Sequence, residues 1–180
     1  MVLKTARRYA NALLQISIEQ EKLDVILKDV ELIHNTVDQS RELKLFMKSP
    51  IIKSDEKRAA LHKLFGSQSD SLTMQFLDLV VKKGREKLLD QIMIGFIDRY
   101  KQNANIIDIN VYTADSLSDN TQQKLNQSLE DMTGKHVELH FHVEKELKGG
   151  IAVRIDDTII DGTIKHKIDR LRTLFLKTAV

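Results

Sequence analysis

The residues best placed to do chemistry lie between positions 136 and 144. There His136, His140 and His142, with Glu138 and Glu144, alternate with Val137, Leu139, Phe141 and Val143. Alternate side chains on a strand point to one face, and imidazole with carboxylate is a donor set that suits zinc. An exposed strand face is expected to be polar in any case, and no second ligand cluster stands nearby in the sequence. The solvated face is therefore preferred and no metal is assigned. Asp156-Asp157 can be imagined as an acid–base pair, but adjacent residues in a turn diverge, so a turn role is preferred. No cysteine and no Gly-x-Ser-x-Gly is present, so no nucleophile motif exists. Gly66 lacks a following Gly-Lys-Ser/Thr at P-loop spacing, and Lys148-Gly149-Gly150 precedes a strand rather than a helix. Nucleotide binding is not expected, and neither a catalytic residue nor a cofactor is assigned.

With chemistry set aside, composition bounds the remaining classes. The 180 residues suffice for one large or two small cores. Hydrophobic content of 42% and charged content of 30% fit a globular protein rather than a disordered one. Apolar runs are only a few residues long, against the ~18 or more that a membrane span needs. The acid-poor segment from Met1 to Ile18 faintly resembles a transit peptide, but its Ala and Leu spacing reads as an ordinary packed helix. Zero cysteines fit a reducing compartment. The net charge of +2 gives no global field for binding nucleic acid.

Helical periodicity runs through the first hundred residues. It predicts a helix from about Leu3 to Gln20 with Leu3, Ala6, Ala10, Leu13 and Ser17 inward. A second helix follows with Leu23, Ile26, Leu27, Val30, Ile33 and Val37 on one face. A short third, Arg41 to Lys48, must end before Ser49-Pro50. Ser54 reads as the cap of a fourth, with Leu61, Leu64 and Phe65 buried. The fifth opens near Ser69-Asp70, sets Leu72, Phe76, Leu79 and Val80 on one side, and ends at Lys82-Lys83-Gly84. The sixth carries Leu89, Ile92, Met93, Phe96, Ile97 and Tyr100.

Near Asn103-Ala104-Asn105 the period changes to two. Ile107, Ile109 and Val111 alternate with polar residues, Ser118 or Asp119 caps a polar helix, and the His136 to Glu144 run follows as a half-buried strand. Gly149-Gly150 permits positive φ or close backbone approach before a hairpin, Ile151 to Ile155 and Thr158 to Ile160, turning at Asp156-Asp157. Asp161-Gly162-Thr163 then opens a basic helix. The expectation is α plus α/β: a six-helix N-terminal bundle over 1–104, then a small mixed α/β domain over 105–180, ordered β-α-β-β-β-α, with a C-terminal helix.

Two surfaces stand out as binding faces. The last helix has an apolar stripe, Ile164, Ile168, Leu171 and Phe175, against Lys165, Lys167, Arg170, Arg172 and Lys177. The preferred reading packs that stripe on the small sheet and leaves the basic face in water; a nucleic-acid-binding α/β module is the alternative function, weakened by the absence of aromatics from that face. On the first helix Tyr9, Ala12 and Ile16 add a second apolar face, and the fifth offers Leu77 beside Phe76 and Val80. Either the core surrounds these helices, or a groove between them accepts another helix.

Four stretches carry a resemblance across the whole chain. Ala6-Arg-Arg-Tyr-Ala-Asn-Ala-Leu13 is similar to the opening signature of the delta-subunit family of rotary ATP synthases, whose mitochondrial counterpart is the oligomycin-sensitivity-conferring protein. Leu45-Phe-Met-Lys-Ser-Pro50, Leu79-Val-Val-Lys-Lys-Gly-Arg85 and Gly149-Gly-Ile-Ala-Val-Arg-Ile155 with Ile160-Asp-Gly-Thr163 resemble later family segments in the right order. Asp156 stands where the family often has glycine, and Thr163 where it often has serine. The resemblance implies a non-catalytic stator linker between the catalytic head and the peripheral stalk. It implies that the helical domain takes the N-terminal helix of an alpha subunit between helices one and five. We assign that groove to Tyr9, Ala10 and Leu13 with Phe76, Val80 and Lys83. The C-terminal domain is expected to hold the b subunits of the stalk. Met1 directly before the first motif is read as leaving no transit peptide. The expected location is the cytoplasmic face of the bacterial membrane, reached only through the complex.

Overall fold

A computed structural model describes residues 3–155 and 157–178, and the side chains of 171, 172 and 174–178 are outside that description. Met1 and Asp156, and the side chains of Leu171, Arg172, Phe175 and Lys177 singled out above, therefore lie outside the described residues. The chain is helical with one small mixed sheet, and it divides into two compact units, Met1–Asn103 and Ala104–Val180.

The first unit contains α1 (Lys4–Glu19), α2 (Leu23–Gln39), α3 (Arg41–Lys48), α4 (Ser54–Phe65), α5 (Ser71–Lys82), a 3-10 turn at Glu86–Leu88, and α6 (Leu89–Asn103). Ala6, Ala10, Leu13 and Ser17 form the buried line of α1, and the two alanines let it lie close along α6. Ile26, Val30, Ile33 and Val37 of α2 and Ile92, Met93 and Phe96 of α6 complete the centre. Leu3 is exposed rather than inward, because it sits at the cap position before the first turn. On α4 the inward line is Lys57, Leu61 and Phe65, each four apart, and Leu64 falls off it into solvent. Ser54 is the first helical residue rather than the cap; Lys53 holds the cap position and offers no side-chain bond. By contrast Ser40 Oγ accepts from Leu43 N–H (3.1 Å) and Asp70 Oδ1 from Leu72 N–H (2.8 Å), capping α3 and α5.

Two buried polar groups fix how these helices meet. Asp29 of α2 accepts from Asp70 N–H (2.8 Å) and Thr73 Oγ1 (2.6 Å), joining α2 to the start of α5. Lys57, 1% exposed, donates to Met47 O (3.0 Å), Ser49 O (2.8 Å) and Glu86 Oε1 (2.8 Å). One ammonium thus satisfies the open C-terminal end of α3 and neutralises the carboxylate that begins the 3-10 turn.

The second unit contains β1 (Ile106–Thr113), α7 (Asp119–Thr133), β2 (His136–Val143), a 3-10 turn at Lys145–Leu147, β3 (Ile151–Ile155), β4 (Thr158–Asp161) and α8 (Ile164–Thr178). The sheet order is β2-β1-β3-β4. β1 and β2 are parallel with Ile107 opposite Val137, so α7 is their crossover; β3 and β4 are antiparallel neighbours. Ile109, Val111, Val137 and Val153 pack with Leu129 of α7 to form the core. Val143, the last residue of β2, is exposed although its alternation points inward. Ser118 holds the cap position of α7, but its hydroxyl bonds Thr121 Oγ1 (2.8 Å) instead of a backbone N–H.

Gly150 explains the double glycine. Its φ is +81°, and an added Cβ would lie 2.6 Å from Gly162 O and 2.9 Å from Thr163 Cα, so two backbones cross there. Ile164 N–H bonds Gly149 O (2.9 Å) across that crossing, and Thr163 Oγ1 caps α8 through His166 N–H (3.2 Å). The α8 stripe departs from expectation: Ile164 and Ile168 are exposed rather than packed on the sheet. No helix among the described residues is long and apolar enough to cross a membrane.

Candidate partner-binding groove

An apolar trough of about 380 Å³ runs between α1 and α5, lined by Thr5, Arg8, Tyr9, Ala12, Ile16, Phe76, Leu79 and Arg85. Its floor is set by the ring edge of Tyr9 meeting Phe76, with centroids 6.5 Å apart and planes at 68°. Tyr9, Ala12 and Ile16 are spaced three and four apart, so they form one stripe beside the buried Ala6–Ala10–Leu13 line. Phe76 and Leu79 are three apart on α5 and present the facing wall.

The end of α5 places the rim. Gly84 adopts φ +64°, Gly84 N–H bonds Val81 O (2.9 Å) and Arg85 N–H bonds Val80 O (3.0 Å). That pair of bonds is the Schellman stop, and it turns the chain so that Arg85 reaches the trough. Arg8 and Arg85 make the rim cationic. The first turn of α1 contains no acidic residue, so Lys4, Arg7 and Arg8 leave that end of the helix positive.

Of the six residues assigned from the sequence, Tyr9 and Phe76 line the trough. Ala10, Leu13 and Val80 do not: they are 0–1% exposed and belong to the core. The reason is rotational. A residue four positions on is turned by roughly 40° from its predecessor, which carries Leu13 and Val80 from the trough wall to the interior. Lys83 is exposed at the C-cap of α5 and is not among the lining residues. Phe76 itself is 7% exposed, so it serves the core as much as the trough. Ile16 and Leu79, the latter 44% exposed, are the exposed large hydrophobic residues of the lining. Leu79, expected on one face with Leu72, Phe76 and Val80, is instead turned out of the core because it lies one residue before Val80, a rotation of about 100°; Arg8 and Arg85 gave no signal beyond their charge. A larger recess of about 600 Å³ lies between α4 and α5, where Leu79 and Val81 stand among Ser54, Asp55, Arg58, Gln75, Asp78 and Lys82.

The histidine face of β2 is reorganised by its neighbour strand. His140 Nε2 lies 2.8 Å from Asp108 Oδ1, and ligand atoms of Asp108, Glu138 and His140 all fall within 4.8 Å of one another. His142 instead contacts Asn110 Oδ1 (2.9 Å) and stacks on Tyr112 with centroids 5.0 Å apart. His136 is 3.7 Å from Glu130. Parallel pairing thus supplies Asp108, Asn110 and Tyr112, which the sequence spacing of the histidines did not reveal. These are surface contacts that satisfy the polar face.

Comparison with known proteins follows this geometry. The family described as ATP synthase delta (OSCP) subunit matches residues 5–175. A protein named ATP synthase subunit delta from Chlorobium chlorochromatii is 36% identical over 172 residues, 96% of each chain. One of the same name from Chlorobaculum tepidum is 36% identical over 167 residues, covering 93% of this chain and 92% of that one. A chain in the cryo-EM structure of the Toxoplasma gondii mitochondrial ATP synthase hexamer shares the fold. It has a TM-score of 0.69 at 20% identity, covering 97% of this chain and 98% of that one.

Proposed function

From the premise that this chain belongs to the ATP synthase delta (OSCP) subunit family, we propose how its two units divide the work. The chain is a non-catalytic component of the stator of the proton-translocating ATP synthase, and it links the catalytic head to the peripheral stalk so that rotation is coupled to synthesis. In our reading the first unit is a six-helix domain spanning about 1–104 that binds the N-terminal helix of an alpha subunit. The unit from 105 to 180 binds the b subunits, and the protein reaches the cytoplasmic face of the membrane through the complex alone.

The observation that carries the alpha-subunit reading is the trough between α1 and α5. Tyr9, Ala12, Ile16, Phe76 and Leu79 offer an apolar seat, and Arg8 and Arg85 offer cations at its rim. An amphipathic helix with anchors at i, i+3 and i+7 and an acidic flank fits such a seat. For the b subunits, support comes from Ile164 and Ile168, exposed four apart on α8, with Ile159 and Ile160 exposed on the two faces of β4; exposed apolar surface of this kind is characteristic of an interaction site.

Titration calorimetry with a synthetic peptide of the alpha N-terminal segment tests the groove. Leu79→Asp and Ile16→Asp should each weaken binding by about 1–3 kcal/mol, the range of an interface anchor, without changing the thermal midpoint appreciably. Full affinity in both variants would remove this groove from consideration. Capture of the b subunits by the full chain, lost when Ile159 and Ile164 are both made Asp, tests the second unit.

A further inference from the structure

The junction between β4 and α8 contains the chain's one Asp-Gly pair, Asp161-Gly162, and the sequence has no Asn-Gly. The fold demands both residues. Asp161 Oδ1 accepts from Thr163 N–H (2.9 Å), a turn that a short carboxylate closes on the backbone two residues on. A Cβ on Gly162 would lie 3.1 Å from Ile151 O, and the Gly162 carbonyl already crosses Gly150. A larger residue at 162 would press on the strand with which β4 pairs.

The same two residues are reactive together. Glycine has no side chain to shield its amide nitrogen, which can attack the side-chain carboxyl carbon of the aspartate before it. The Gly162 N to Asp161 Cγ bond forms, the Cγ–OH bond breaks, and the hydroxyl leaves with the amide proton as water. The product is a five-membered succinimide, and water then adds to one of its two carbonyls. Addition at Cγ restores aspartate. Addition at the main-chain carbonyl gives isoaspartate, whose backbone runs through Cβ and Cγ and whose α-carboxylate is free. No electrons change hands in either step.

The closed junction holds the pair out of this reaction. Gly162 N–H donates to Ile151 O (3.0 Å), and Asp161 is the last paired residue of β4, opposite Ala152. The Asp161 carboxylate is turned to Thr163, itself 1% exposed. The Thr163 N–H, and then its hydroxyl, hold that carboxyl below its ordinary value, so the protonated form that loses water is scarce. Ring closure requires the Gly162–Ile151 bond to break and the carboxyl to leave Thr163.

We propose that Asp161-Gly162 is a site of spontaneous isoaspartate formation gated by opening of the β4–α8 junction, and that the isoaspartate then keeps the junction from closing. The extra main-chain methylene shifts Gly162 against Ile151 and Gly150, where two backbones leave no room. A four-residue strand at the sheet edge belongs to the low-stability end of a fold, where local opening is frequent.

The test incubates the full chain at neutral pH, in native buffer and in urea. Isoaspartate is read by carboxyl methylation with an isoaspartyl methyltransferase and S-adenosylmethionine, and fragmentation of the tryptic peptide Ile155–Lys165 assigns it to position 161. The folded parent should accumulate it at least about tenfold more slowly than the unfolded chain, since only the open fraction reacts. Gly150→Ala strains the crossing, and Thr163→Val removes the hydroxyl that holds Asp161 and receives His166 N–H (3.2 Å). Each should raise the folded rate at 161 about fivefold while Asp115-Ser116, an exposed pair, keeps its parent rate. If circular dichroism shows Gly150→Ala unfolded, Thr163→Val decides. Chains damaged in urea and returned to native buffer should lose hydrogen-exchange protection at Ile164 N–H, which bonds Gly149 O across the junction, while the amides of α1 to α6 regain theirs. Equal rates in folded and unfolded chain, no isoaspartate at 161 in urea, parent rates in every variant that folds, equal acceleration at Asp115, or full protection of Ile164 in damaged chains would each overturn the proposal.

Discussion

Replacing Lys57 with methionine keeps most of the unbranched side chain and removes one charge from the interior of the first unit. Three acceptors lose their donor at once: Glu86 Oε1 at 2.8 Å, Met47 O at 3.0 Å and Ser49 O at 2.8 Å. The carboxylate dominates, because Glu86 is buried and its Oε2 has no hydrogen-bond partner among the described residues. Breaking a buried pair from one side costs about 3–5 kcal/mol. At an m-value of about 2 kcal/mol/M that is a shift of roughly 2 M in the urea midpoint, read by far-UV circular dichroism at pH 7. The pH dependence identifies the cause. In the parent, burial is the largest influence on Glu86 and pushes its carboxyl up. The Lys57 hydrogen bond, a backbone N–H and the Lys57 and Lys87 charges outweigh it and hold the group below its ordinary value. A depressed folded pKa means stability that is present above the unfolded value, about 4.3, and is lost as pH falls through the folded one. Without Lys57, only the backbone N–H and the Lys87 charge still oppose burial, the largest influence, so the carboxyl moves up and acid relieves the variant by protonating Glu86. The parent–variant gap should therefore shrink between pH 7 and pH 4. Replacing both partners with apolar residues, Lys57→Met with Glu86→Leu, should recover most of the loss. A midpoint shift under about 0.5 M, or a gap that stays constant with pH, would refute this account of the pair.

Phe76→Ala should cost about 3–5 kcal/mol of stability, seen as a lowered thermal midpoint, whereas Leu79→Asp in the same trough should leave the midpoint nearly unchanged. Asp70→Ala should cost about 1 kcal/mol, because it removes the cap of α5. The Leu72 N–H, first, and then Lys22 hold the Asp70 carboxyl below its ordinary value, so its contribution is present above about pH 3.9 and fades as pH falls through the folded pKa; acid titration of parent and variant should converge there. Gly150→Ala should destabilise the second unit by more than about 1 kcal/mol, read from loss of strand signal on heating, because its φ and the Gly162 carbonyl both reject a Cβ.

The elements were legible where local pattern and burial agree. Spacing marks α3 at Arg41–Lys48, with Pro50 as its stop, and the buried faces of α1, α2 and α6, because a helix turns by a fixed angle per residue and one stripe must leave water. The period-two runs mark β1 and β2 for the same reason. The double glycine was legible as a close approach, but its partner, the Gly162–Thr163 backbone, was not. Four stretches in order also carried the family, since each records a local requirement. What the sequence left open depends on which of two adjacent helix faces meets a neighbour. Tyr9 and Leu13 differ by a small rotation that periodicity does not resolve, and only the packing of α1 against α6 sends one to the trough and the other to the core. Lys57 reads as an ordinary surface lysine until the end of α3 and Glu86 close around it, and Asp108 joins His140 only through parallel strand register. Local chemistry sets periodicity, caps and turns along one stretch of chain; contacts between stretches far apart in sequence leave no periodic trace, and those contacts decide which side chain is wall, floor or core.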